Sequence, residues 1–210
     1  MEEQITTTVA ASLSILCILL SMKSLYAMMP TFIASLHRTK VCLEIEFSRG
    51  SQMTRNRLCL GLLLPLCTVV WHFRLYDPHF FSYLGPALRL AATIAVVFLL
   101  WLLRTSIAKS LRVRRMKSEI YEAGCNFDLT AFILTTLVLM IEGLVLALCG
   151  ASIELSRIIL LCTYAATYFI FLLRKTQIFA SDCPLYSAIL YLCALEVLPT
   201  GILVATALFL

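Results

Sequence analysis

The sequence predicts an all-α protein, a polytopic membrane helical bundle of about six transmembrane helices that forms a single domain over residues 1–210. Three observations carry that prediction. Six apolar segments recur along the chain. Of all residues 61% are apolar and only 14% charged, where soluble globular proteins are about one quarter charged. Lys and Arg also gather in alternate connections between the segments, the pattern left by membrane insertion. No Gly/Ser-rich or Pro-rich tract and no internal repeat divides the chain.

The apolar segments cover residues 5–22, 58–73, 86–103, 129–149, 158–173 and 186–210. A helix rises about 1.5 Å per residue, so roughly 20 residues cross a hydrocarbon core of about 30 Å. Segments 58–73 and 158–173 have 16 residues each and must draw on flanking residues such as Arg57 or Ser156, or sit where the bilayer thins. The first segment follows Met-Glu-Glu-Gln in place of the basic stretch that opens a secretory signal, so it is expected to stay as a helix.

Orientation follows from the basic residues. The segment 30–57 carries Arg38, Lys40, Arg49, Arg55 and Arg57; the segment 104–128 carries Arg104, Lys109, Arg112, Arg114, Arg115 and Lys117; the segment 174–185 carries Arg174 and Lys175. These make up 13 of the 17 Lys and Arg residues, whereas the alternate connections hold only Arg74 and Arg157. Because Lys and Arg stay on the cytoplasmic side, the three segments are expected in the cytoplasm and both termini outside it.

The connections have patterns of their own. From Arg104 to Gly124, Ile107, Leu111, Met116 and Ile120 recur at roughly helical spacing among basic residues, which predicts an amphipathic helix on the membrane surface. Gly124 reads as its C-terminal stop and Asp128 as the N-cap of the next span. The basic residues suit anionic lipid headgroups, and with Tyr121 the one aromatic residue of the stretch nucleic acid is not an expected partner. In 41–47, Val41, Leu43, Ile45 and Phe47 alternate with Cys42, Glu44 and Glu46, which predicts an extended stretch, docked on the bundle or facing a partner, ended by a Ser-Arg-Gly-Ser turn.

No cofactor and no metal are expected. His72, Asp77 and His79 could in principle converge, but beside Trp71, Phe73, Tyr76 and Tyr83 they read as an interfacial aromatic belt. The nine cysteines fall within spans or in connections assigned to the cytoplasm, without a C-x-x-C, so neither disulfides nor a zinc ribbon is expected. H-E-x-x-H, G-x-S-x-G and a P-loop are all missing, which leaves no enzymatic signature.

Three ionisable residues lie inside the spans. A charge facing lipid at a helix centre costs at least about 2.5 kcal/mol, so Glu142, Glu196 and Arg89 are expected to face the bundle interior or a wet cavity, or to be neutral. Glu142 lies roughly 20 Å along the fourth span and Arg89 a few residues into the third from the other side, so the two are expected to pair. Glu196, about ten residues into the last span, falls near the midplane, far along the axis from Arg174 and Lys175. Its carboxyl group is expected to be neutral unless a basic group or water reaches it. Pro199 frees the carbonyl of Leu195 and should kink the helix beside it. A kinked helix with a buried acid serves either as an interhelical anchor or in a proton or ion path.

The stretch from Leu173-Arg-Lys-Thr through Tyr186 to Ile189-Leu-Tyr-Leu-Cys-Ala-Leu-Glu-Val-Leu-Pro199 resembles the C-terminus of an uncharacterised Bacteroidetes family of small integral membrane proteins, a domain of unknown function. That family ends in Tyr-Leu-Cys-x-x-Glu-x-x-Pro, and Tyr191, Leu192, Cys193, Glu196 and Pro199 match it. The resemblance covers about 25 residues and implies the inner membrane of a Gram-negative bacterium, with both termini periplasmic. It brings no activity with it. Two function classes remain open: a non-enzymatic subunit or assembly factor of a cell-envelope complex with a membrane-protein partner, or a small transporter or permease-like protein using Glu196 and Glu142.

Overall fold

A computed structural model describes residues 2–78, 81, 83–110, 118–181 and 184–209. Its long elements are helices: α1 (Glu2–His37), α2 (Thr39–Phe47), α3 (Arg49–His72), α4 (Pro86–Ser110), α5 (Ser118–Leu148), α6 (Ile153–Ala180), α7 (Leu185–Leu192) and α8 (Leu198–Phe209), with a π turn over Cys193–Val197 joining the last two. Among the described residues there are no strands. Six helical stretches are long and apolar enough to cross a bilayer, and the chain is an all-α, multi-pass membrane protein.

The first five spans are each longer than their apolar segments, and the two short ones gain their helix length from polar flanking residues. α3 recruits Arg49 to Arg57 ahead of segment 58–73, starting from Ser48, whose hydroxyl accepts the Ser51 N–H at 3.5 Å. α6 starts at Ile153, where Ser152 caps the Leu155 N–H at 3.3 Å and Glu154 sits at the positive end of the helix dipole. It then runs to Ala180, past Arg174 and Lys175. α1, at 36 residues, is roughly 54 Å long and exceeds the thickness of a whole bilayer.

Two local expectations are corrected. Residues 41–47 are helical: α2 turns Cys42 and Ile45, three residues apart, into the bundle, and the Cys42 thiol approaches the carbonyl of Ala123 at 3.8 Å. Two buried positions three apart share a helix face but would fall on opposite faces of an extended segment, and packing on α5 holds the helix. The segment is docked on the bundle. Gly124 does not end a helix and Asp128 does not cap one, because α5 begins at Ser118 and passes through both. α4 continues the third span to Ser110; Leu111 to Lys117, with the centre of the expected amphipathic helix, lie outside the described residues.

α1 packs along α3, α3 on α5 and α5 on α6. Phe32, Leu58, Leu62 and Ile133 close the α1–α3–α5 core, while Phe127 and Ile178 join α5 to α6 beneath Cys42. This framework leaves α4, α6 and the α7–α8 run around one buried polar centre.

Candidate functional site: a buried four-charge cluster

Four charged side chains from four spans meet inside the bundle: Arg104 of α4, Asp128 of α5, Lys175 of α6 and Glu196 of the π turn. The Lys175 ammonium is 2.8 Å from each oxygen of Asp128 and also donates to Oε1 of Glu196. The Arg104 guanidinium bridges the same carboxylates, 2.8 Å from Oδ1 of Asp128 and paired with Oε1 of Glu196. Glu196 and Lys175 are each only 3% exposed, so in the membrane their charges have no bulk water to fall back on. Two cations against two anions leave the cluster formally neutral, which makes so costly a burial tolerable.

Local structure aims each group. Pro199 is buried at the start of α8 and cannot donate to Leu195; the backbone widens just before it, and the Leu198 N–H bonds back five residues to the Cys193 carbonyl. That π turn carries Glu196 inward while Cys193 and Val197 stay exposed. Thr200 donates its hydroxyl to the Glu196 carbonyl and accepts from the Tyr168 hydroxyl of α6 at 2.7 Å, which ties the turn to the neighbouring span. Tyr164 stacks on Tyr168 at 6.2 Å.

An aromatic lid covers Lys175. Its ammonium stands 5.8 Å from the centroid of Phe179, one helical turn on, and Phe179 is fully buried against Tyr121. The ring fits there because Gly124 has no side chain: a Cβ on Gly124 would overlap the Phe179 edge. The Tyr121 hydroxyl in turn donates to the Ala108 carbonyl, joining α5 to α4 beside Arg104. Gly124 is therefore part of the site.

The expected site residues divide. Glu196 and Pro199 build the centre; Tyr191 packs on its aromatic side; Cys193 is exposed on the outer surface. Lys175 does reach Glu196, against the expectation. Lys175 lies some 7–8 Å inside the end of α6 and Glu196 some 16 Å inside the start of α7, and a lysine stem with modest helix tilt closes the remaining gap. The condition under which the acid was expected to be neutral, that no basic group reaches it, is not met.

Arg89 and Glu142 do not pair. Arg89 donates to the carbonyls of Phe81 at 2.6 Å and Leu84 at 3.2 Å, holding the connection before α4. Glu142 accepts the Thr163 hydroxyl at 2.8 Å, while its other oxygen is buried without a hydrogen-bond partner. The sequence alone assigns Arg104 and Lys175 to cytoplasmic connections and Asp128 to an N-cap. The signal that could have found them is that each adjoins an apolar segment, Arg104 and Lys175 with the positive charge that Glu196 needs and Asp128 with the second negative charge that two cations call for, and that Lys175 lies in the same resembling stretch.

Arg174, next to Lys175, turns the other way. Among the described residues its guanidinium meets only neutral oxygens: Ser35 O at 3.3 Å, Gln177 Oε1 at 2.8 Å and Thr39 Oγ1 at 3.2 Å, clasping the α1–α2 elbow. His79, between α3 and α4, lies outside the described residues, and His72 packs edge-on to Phe73. Among the described residues no three His, Cys, Asp or Glu side chains group as metal ligands. No protein-family model matches the chain, and neither do curated proteins or solved structures.

Proposed function

We propose that the chain is a non-enzymatic membrane component, a subunit or accessory factor of a cell-envelope complex in the inner membrane of a Gram-negative bacterium of the Bacteroidetes. The supporting observation is the cluster itself. Both carboxylates take up cations from the protein's own helices, so the four charges balance without a substrate, and their pairing ties α4, α5, α6 and the last span together. On this reading the cluster is an internal lock that holds outer helix faces in place for a membrane-protein partner, while the basic segments face anionic headgroups.

A second reading rests on a different observation. The π turn at Glu196 is a local departure of the kind found at functional sites, and a lysine shared between two carboxylates can exchange partners, as a proton- or ion-coupled permease would need. One pair of measurements separates the two. Affinity purification of the tagged protein from native membrane should yield a stoichiometric partner for a subunit. Purified protein in liposomes should show Glu196-dependent proton or solute flux for a permease. Flux without a partner overturns the subunit reading.

A further inference from the structure

We propose that one face of α3 binds a single anionic phospholipid. Arg49, Gln52, Met53, Asn56, Arg57 and Leu60 line a groove of about 390 Å³. At about 100° per residue they occupy one side of the helix. No acid is among them. Arg49 and Arg57 are exposed, and among the described residues neither guanidinium has a partner, unlike Arg104 and Arg174 on the inner side of the bundle. Arg49 is the first residue of α3, so the positive end of the helix dipole adds to the same field.

The order of chemistry along the groove matches a phospholipid. Arg49, Gln52, Met53, Asn56 and Arg57 come first, and Leu60, 75% exposed, lies deepest, where the apolar segment begins. The apolar segment after Arg57 measures only about 24 Å, short of a core of about 30 Å, which draws Arg57 to the glycerol–phosphate level. A phosphodiester there accepts charge-assisted bonds from both arginines while an acyl chain follows Leu60 towards the core. A zwitterionic headgroup would add a cation between two guanidiniums, so the site selects a net-negative lipid. The inference narrows the headgroup contact proposed above to one site, and it holds for a subunit and a permease alike.

The test uses the full chain equilibrated with equimolar phosphatidylglycerol and phosphatidylcholine vesicles, with retained lipid counted by native mass spectrometry. The wild type should retain phosphatidylglycerol in preference. With about fivefold per guanidinium, the double change Arg49→Gln, Arg57→Gln should weaken that preference roughly 30-fold. Arg49→Lys with Arg57→Lys should keep most of it and shows that charge, not folding, is read; helix content by circular dichroism is followed for each variant. An unchanged preference in the glutamine variant overturns this site and leaves the general headgroup contact standing. No preference in the wild type overturns both. Displacement by soluble glycerol phosphate would show a soluble-phosphate site and overturn the lipid.

Discussion

Glu196 and Glu142 are the same side chain in two spans of one bundle, yet they meet opposite surroundings. Glu196 is held by an ammonium and a guanidinium from two other helices, whereas Glu142 has a single threonine hydroxyl and one buried oxygen without a hydrogen-bond partner. Along α5, Glu142 lies 14 residues beyond Asp128, roughly 21 Å, so the two acids belong to opposite ends of the molecule. An acid inside a membrane protein is thus not defined by its depth alone. What matters is which neighbouring helices bring a cation to the same level.

The largest expected effect is at Lys175. Lys175→Met leaves two carboxylates facing Arg104 alone, and breaking a buried ion pair from one side costs about 3–5 kcal/mol. Unfolding of the purified protein in detergent, followed by helix content, should register that loss. Combining Lys175→Met with Glu196→Leu removes one charge of each sign, and the double loss should fall short of the sum by about 1–3 kcal/mol. Additive losses would show that the cluster does not act as a unit.

Next comes the lid. Gly124→Leu drives a side chain into the Phe179 ring and should destabilise by about 1–3 kcal/mol, with Phe179→Leu in the same chain recovering part of it. Recovery by the smaller partner would tie the glycine to this contact. Glu196→Gln keeps the shape but removes the charge that faces Lys175 and Arg104, so it too should lower stability, by less than Lys175→Met because Asp128 still faces both cations. That differs from the harmless change expected of an acid with no basic neighbour, and equal stability with the wild type would argue that Glu196 is not ionised.

Glu142→Gln should cost under about 1 kcal/mol, since an amide oxygen still accepts from Thr163 and no cation is left unpaired. A loss as large as that of Lys175→Met would erase the contrast between the two acids. The smallest perturbation only locates them. Reporter fusions after Gly50 and Ser181 should report the cytoplasm and those after Tyr83 and Ser152 the outside, which would place the four-charge cluster in the cytoplasmic half and Glu142 in the outer half. A cytoplasmic report after Ser152 would reverse that assignment.

Much of this was legible in one dimension. Hydropathy and length fall into six apolar helices because a backbone in hydrocarbon must satisfy its own hydrogen bonds within each span, and that requirement is local. Glu196 and Pro199 also stood out, as the acid deepest in an apolar run and the proline three residues after it. What the sequence could not decide was where the charged ends of the helices point. Arg104, Asp128 and Lys175 look like boundary residues until α4, α5 and α6 are known to run on past the apolar segments, and until the register of three separate helices against the last span is fixed. That register depends on close packing such as Phe179 against Gly124, 55 positions apart in the chain, and on a π turn, closed by a bond between residues five apart, that carries Glu196 inward. Periodicity says which residues share a face of one helix. Only the tertiary structure sets the height and rotation at which two faces meet, because that is decided by the shapes of both.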